Sequence, residues 1–334
     1  AALFFTDWID AYVSEFVIQA SVGDAFGQLG GIFLDNAQAI TAVNADILSG
    51  AHAIHLSRSS AYNNFCNIYC DSTYHDALFV DSGTFTKFTN CWFSGGRFAP
   101  GHSGAGIYNG DGIDFANCIF ANNGAHGAFV GVGAKNTSFN QCRIESNSVT
   151  AGTSVAHGIA IDSGASDFTI TNCVIRNGYF PGHQGYGIYI TQGASDRFVI
   201  TGNHLLGNNA PVFEGQAGTY QWVLDDSNLG YQKPHVSPVL SGGWAYYGGE
   251  SATPGFLKDS QGFVHLRGAI KGGSIPSTVF TLPPGYRPAG THDFPAISGD
   301  AFAWVWVDPR GEVHVQSGNN AFVSLAGITF KAGS

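Results

Sequence analysis

Two carboxylates are placed where they could do chemistry. Glu145 breaks its own repeat column, in which the equivalent positions hold Ser94, Ala121 and Arg176, and it immediately precedes an inserted loop. Asp162 follows the same loop, in a register shared with Asp35 and Asp81. Cleavage of a glycosidic bond uses two carboxyl groups about 5 to 9.5 Å apart, one as acid and one as base or nucleophile. Glu145 is assigned as the acid, because a covering loop raises a carboxyl pKa, and Asp162 as its partner. Arg97, His102, His157, Arg176, His183, Tyr186 and Tyr189 are expected along the same groove, in contact with an acidic sugar. In a lyase those cations would instead neutralise a uronate carboxylate while His or Tyr moved the proton. His126 and His157 fall on successive repeats, about 5 Å apart. Two ligands without a third do not make a metal centre, so no metal and no other cofactor is expected. Asn136, Asp167 and Asp196 share another register and read as turn-capping residues.

What must position these groups is a repeat. Gly106-Ile107-Tyr108-Asn109 returns as Gly127-Ala128-Phe129-Val130, Gly158-Ile159-Ala160-Ile161 and Gly187-Ile188-Tyr189-Ile190. Upstream copies are Gly31-Ile32-Phe33-Leu34, Ala53-Ile54-His55-Leu56 and Ala77-Leu78-Phe79-Val80. A second phrase follows the later copies: Asn90-Cys91-Trp92-Phe93, Asn117-Cys118-Ile119-Phe120, Gln141-Cys142-Arg143-Ile144 and Asn172-Cys173-Val174-Ile175. Two phrases locked together at a period of about 21 to 31 residues mark a solenoid. Each phrase alternates as a strand does, and the corners are rich in Gly, Asn, Ser and Asp. The fold class is therefore all-β, with a right-handed parallel β-helix whose coils lie about 4.8 Å apart.

Stacking gives each column a role. Ile32, Ile54, Leu78, Ile107, Ala128, Ile159 and Ile188 are expected to point inward, as are Cys91, Cys118, Cys142 and Cys173. Asn90, Asn117 and Asn172, with Asn67 as an extension, are expected to form a side-chain ladder at a bend. Phe33, His55, Phe79, Tyr108, Phe129, Ala160 and Tyr189 form an outward column. Its aromatic strip is either buried between subunits or a platform for sugar stacking. His52, Asp76, His126, His157 and Tyr186 form a corner column just before each Gly or Ala.

The 334 residues carry a net charge of −10 and only 11% charged side chains, with no basic stripe, which excludes a nucleic-acid partner. No apolar run of about 18 residues exists, so no membrane insertion by a helix is expected. The six cysteines lack a CxxC pair; four share one stacked column, as buried thiols do, and all read as reduced and structural. The start lacks a basic leader, and no Met occurs, which suggests a piece of a longer chain.

Taken in order, residues 1–215 are the β-helix, with a cap over about 1–20. Insertions at about 97 to 105, 148 to 156 and 179 to 186 fall at one corner, where function tends to sit. Residues 216–241 lose the repeat and read as a linker or neck. Residues 242–334 hold short alternating strands, with Asp308-Pro309-Arg310-Gly311 as a hairpin turn, and suggest a small antiparallel β-sandwich.

That last part carries a family resemblance. Pro254-Gly255-Phe256-Leu257-Lys258-Asp259, Gly262-Phe263-Val264-His265-Leu266-Arg267-Gly268 and Leu282-Pro283-Pro284-Gly285-Tyr286-Arg287-Pro288 resemble the C-terminal domain of many bacteriophage tail fibres and tailspikes. A parallel β-helix in front of it is similar to a tailspike body. The resemblance implies a homotrimer on a virion tail, joined to the rest of the tail through a preceding part. It also implies recognition of a bacterial surface polysaccharide, lipopolysaccharide O-antigen or capsule, and in many members its depolymerisation. The terminal domain would serve trimerisation or carbohydrate binding. A non-catalytic receptor-binding fibre shares this architecture. A secreted pectate-lyase-like enzyme would need an export signal and would not need the terminal domain.

Overall fold

The computed structural model describes residues 3–19, 30–96, 101–150, 156–178, 183–194, 197–215, 223–224, 227–259 and 261–333. Among them every regular element is a β-strand. The chain divides into two compact units, Ala1–Tyr231 and Gln232–Ser334.

The first unit is a parallel β-helix. One sheet stacks nine strands in chain order, from Leu3–Thr6, Ile32–Asp35, Ile54–Ser57 and Leu78–Val80 through Ala105–Ile107, Ala128–Val130 and Ile159–Ile161 to Tyr186–Ile190 and Ala210–Glu214. A second sheet forms the rest of the wall. In early coils a single long strand, Gln38–Leu48 or Asn64–Thr73, runs through a bend. In later coils the bend splits it, as between Gly83–Thr89 and Trp92–Gly95.

The Asn-Cys phrase makes that bend. Asn44, Asn67, Asn90, Asn117, Gln141 and Asn172 all have φ between 54° and 58°, the left-handed region that Asn tolerates better than most residues. The expected side-chain ladder here is corrected. Of these residues only Asn67 and Asn44 share an amide bond, at 2.9 Å; the shared property of the column is its backbone turn. The cysteines that follow are buried. Their thiols also donate to carbonyls of the preceding coil, Cys118 to Phe88 at 3.3 Å and Cys173 to Phe139 at 3.5 Å.

Inside, like stacks on like. Phe65, Phe88, Phe115 and Phe139 form a file with centroid spacings of 4.9, 5.2 and 4.9 Å. Each fully buried ring contributes roughly 1.5 to 3 kcal/mol. One coil departs from the expected register. Ala105, not Ile107, pairs with Leu78 and Ala128, and Ile107 falls in the next inward column with Val80 and Val130. Gly106 thereby takes the outward place expected for Tyr108.

The second unit is built from three small antiparallel sheets around a core that includes Trp244, Phe256, Val305 and Phe330. Ala301–Val307 and Glu312–Ser317 form the hairpin. In its turn Asp308 Oδ1 accepts the N–H groups of Arg310 and Glu312, each at 3.0 Å. The Leu282-to-Pro288 element is a packed turn. Leu282 and Tyr286 are buried, Tyr286 meets Phe256 edge-on at 5.1 Å, and Arg287 Nε donates to the Leu282 carbonyl at 2.9 Å.

Candidate functional site

The nine-stranded sheet carries a continuous file of rings on its outer face. Phe4, Phe33, His55 and Phe79 follow at centroid spacings of 5.9, 4.7 and 4.8 Å. Tyr108 continues the file, 5.1 Å from Phe79 and 5.4 Å from Phe129, although its backbone lies two residues past the column position. Gly106 makes this possible. A Cβ there would meet Tyr108 Cε2 at 2.5 Å, so the bare backbone is the floor on which the tyrosine ring lies.

Ala160 leaves a second gap, and the corner column fills it. His126 lies 6.0 Å from Phe129 and 5.3 Å from His157. His157 then stacks on Tyr189 at 4.4 Å and 11°, and Tyr189 on Phe213 at 4.7 Å. The file thus spans all nine coils. Each inner ring is half-buried by its neighbours, except His157, which is buried.

The corner column is a backbone-locked set of imidazoles. His126 Nδ1 accepts the His157 N–H at 2.9 Å, and His157 Nδ1 accepts the Tyr186 N–H at 3.2 Å. An imidazole nitrogen that accepts a hydrogen bond carries no proton, so both rings are neutral with the hydrogen on Nε2. Burial agrees with this, pushing His126 down to about 3 and His157 down to about 4. Further along the same corner, Asp76 is buried and accepts the Ser103 N–H at 2.5 Å and the Tyr108 hydroxyl at 2.9 Å. Burial raises its carboxyl to about 6, against the pull of those two bonds. His52 Nδ1 donates to the Asp76 carbonyl at 2.7 Å, and burial lowers His52 to about 4.

A cleft of about 370 Å³ opens where the file and the corner meet. It is lined by His126, Phe129, His157, Ala160, Ile161, Asp162, Tyr186, Tyr189 and Thr191. Asp162 Oδ1 accepts the Ser163 N–H at 2.8 Å. Of the sequence-derived site residues, the structure therefore gathers Asp162, His157, Tyr186 and Tyr189. Glu145 is elsewhere. It ends Arg143–Glu145, in the other sheet, and pairs with Arg143 at 3.1 Å and Arg176 at 3.5 Å. The corner and the whole of strand Ile159–Ile161 lie between it and Asp162 along the chain. His102 stacks on His75 at 4.6 Å, beside Asp76 rather than in the cleft. His183 is exposed. Arg97 lies outside the described residues, as do parts of all three inserted loops and Asp196. Asn136 and Asp167 have φ of 49° and 57°, and Asp167 is gripped by Arg197 at 2.6 and 2.7 Å.

A larger groove, about 470 Å³, lies at the bend between Asn44, Asn67, Asn90, Tyr69 and Trp92. It has one carboxylate, Asp46, and no imidazole. The chemistry is concentrated at the smaller cleft.

Sequence reading missed the support beneath the cleft corner. Asn123 Nδ2 donates to Asn147 Oδ1 at 2.8 Å, Asn147 Nδ2 to Gln184 Oε1 at 2.8 Å, and Gln184 Nε2 to Asn208 Oδ1 at 2.9 Å. Asn123, Asn147 and Asn208 also donate to the carbonyls of Phe93, Phe120 and Ile175, at 3.2, 3.1 and 2.7 Å. The amides at Asn123 and Asn147, each three residues past an inward Phe or Ile, were the available signal.

A family model described as "Right handed beta helix region" matches residues 30–226. No curated protein matches the sequence. Among solved structures, the A-module of a mannuronan C-5 epimerase from Azotobacter vinelandii is similar at 13% identity and a TM-score of 0.34, covering 67% of this chain and 59% of that one. A tailspike protein from Acinetobacter baumannii bacteriophage Fri1, a capsular polysaccharide depolymerase, is similar at 14% identity and a TM-score of 0.33, with 96% and 65% covered. The full-length tailspike protein 2 of Escherichia coli O157:H7 bacteriophage CAB120 follows at 10% identity and a TM-score of 0.31, with 99% and 51% covered. The chain spans less than two thirds of each of these structures.

Proposed function

This chain belongs to the right-handed β-helix family, through residues 30–226, and on that premise we propose that it is the polysaccharide-recognising body of a bacteriophage tailspike. The observation that carries the reading is the unbroken ring file ending in a cleft with polar groups. A sugar ring presents an apolar face and a rim of hydroxyls. Half-exposed aromatic rings match the face, and a few placed donors and acceptors match the rim. His157 Nε2–H, the Tyr186 hydroxyl, Thr191 and Asp162 are those polar groups. The file is long enough to engage several residues of a polymer. The C-terminal resemblance supports a tail protein that assembles as a homotrimer and meets a surface polysaccharide of a bacterium.

Cleavage of that polymer is the further part of the same proposal, with Asp162 as the carboxylate at the cleft. Among the described residues no second carboxylate lines it, and the backbone hydrogen bond on His157 Nδ1 leaves that ring a donor rather than a base. The geometry therefore supports recognition further than it supports hydrolysis. The experiment is binding of purified lipopolysaccharide and capsule from a strain panel, read beside the release of reducing ends. Tyr189→Ala should weaken binding roughly tenfold or more. Undiminished binding in that variant would remove the cleft from the reading.

A further inference from the structure

We infer that the polysaccharide taken by this cleft is uncharged. The inference rests on the recognition reading above and narrows it to a chemical class. Among the described residues nine line the cleft, and none is Lys or Arg. The two imidazoles that could supply positive charge are held neutral, because each Nδ1 already accepts a backbone N–H. Protonating either ring would break that bond and place a charge among aromatic rings.

Among the described residues, Asp162 is then the one ionic group facing the ligand. One of its oxygens is occupied by the Ser163 N–H, and the other has no protein donor among the described residues. A carboxylate oxygen accepts from a sugar hydroxyl, whereas it repels a uronate or sialate carboxylate. Two guanidiniums of the described residues are committed elsewhere, Arg143 and Arg176 to Glu145, on the other sheet. The chain's net charge of −10 adds a long-range term of the same sign. What remains is a set of neutral donors and aromatic faces, fitted to hydroxyl and acetamido groups. The described lining thus fits a neutral sugar, in place of the acidic one expected from sequence.

The test uses acidic capsular polysaccharides from a strain panel, each in native form and after chemical reduction of its carboxyl groups, together with neutral O-antigen polysaccharides. Affinities are measured for the intact protein and for Tyr189→Ala and Asp162→Asn, at low and high salt. Binders should fall among the neutral and reduced polymers. For any polymer tested in both forms, the native acid should bind roughly tenfold or more weakly, which is about 1.4 kcal/mol. The gap should shrink in Asp162→Asn and at high salt, and binding should weaken roughly tenfold or more in Tyr189→Ala. Equal binding of both forms, or an acidic polymer that binds better and is weakened by salt, overturns the inference while leaving recognition intact. If nothing in the panel binds, or binding is undiminished in Tyr189→Ala, the recognition reading of the cleft fails and the inference falls with it.

Discussion

Tyr108 donates its phenolic hydrogen bond to Asp76 Oδ2 at 2.9 Å, across the bare backbone of Gly106. One contact thus closes a gap in the ring file and satisfies a buried carboxyl. The arrangement needs a residue without a side chain, since a Cβ on Gly106 would meet Asp76 Oδ2 at 2.6 Å as well as the tyrosine ring. Gly106→Val should lower unfolding free energy by about 1 to 3 kcal/mol through overpacking. Tyr108→Phe keeps the ring and should cost about 1 to 2 kcal/mol through the lost bond to a buried acceptor. Urea unfolding measures both; a Gly106→Val protein as stable as wild type would refute this account of the glycine.

The imidazoles set an acid limit to stability. His52, His126 and His157 sit at about 4, 3 and 4 when folded, against 6.5 unfolded. A depressed pKa contributes stability that is present above the unfolded value and is lost as pH falls toward the folded one. Asp76 acts oppositely. Its folded value of about 6 exceeds the ordinary 3.8, so its contribution is full below 3.8 and is lost as pH rises through 6. Between about pH 6 and 4 three imidazoles outweigh one carboxyl, and melting temperature should fall with acidification. His126→Gln should flatten that dependence, whereas Asp76→Asn should steepen it. A melting temperature flat across this window would contradict the neutral, backbone-bonded rings.

The buried amide ladder should matter more than its exposed counterpart at the bend. Asn147 gives and receives bonds to Asn123, Gln184 and Phe120 in a fully buried setting. Asn147→Ala leaves several of those groups unpaired and should cost about 2 to 4 kcal/mol. Asn67→Ala removes one exposed amide bond and should cost less than about 1 kcal/mol, because Ala bears the left-handed φ of 58° less well but exposes no buried group. Chemical denaturation of the two variants side by side gives the comparison; equal losses would mean that the ladder is not a support.

Cleavage, measured as new reducing ends, separates the two carboxylates. Asp162→Asn should abolish it, since Asp162 lines the cleft. Glu145→Gln should leave it within about twofold, because Glu145 faces Arg143 and Arg176 on the other sheet. Loss in both variants would restore them as an acid–base pair.

Tyr189 lies between His157 and Phe213 at 4.4 and 4.7 Å. Removing an aromatic ring that a ligand buries weakens binding by about 1.5 to 3 kcal/mol. Tyr189→Ala should therefore reduce affinity for the bound polysaccharide by roughly tenfold to a hundredfold. Phe65→Leu, in the interior file, should lower stability without changing affinity. Titration calorimetry on both variants checks the contrast.

Much of this architecture was legible in the chain because strand alternation and coil repetition are local facts. A side chain in a strand points to the opposite face from its neighbour, so Ile54-His55-Leu56 declares which two residues face inward. The Asn-Cys phrase marked the bend for the same reason. Its mechanism differed from the expected ladder, since a positive φ leaves no trace in sequence beyond the residue type that tolerates it. The short strands of residues 242–334 were equally readable.

The site was decided between coils. Which ring fills the gap at Gly106 or Ala160 depends on how far Tyr108 and His157 reach, not on their place in the repeat. The pairing of Asn147 with Gln184 joins residues 37 apart through an insertion of uneven length. Whether Glu145 meets Asp162 turned on which sheet each strand joined. The sequence by itself determined the coiled repeat and, from Ile32 to Ile188, the inward column in every coil but that of Gly106, because those follow from a period of two and a repeat. Only the tertiary structure decided which outward side chains converge, because that depends on rotamers and corner geometry that no periodicity encodes.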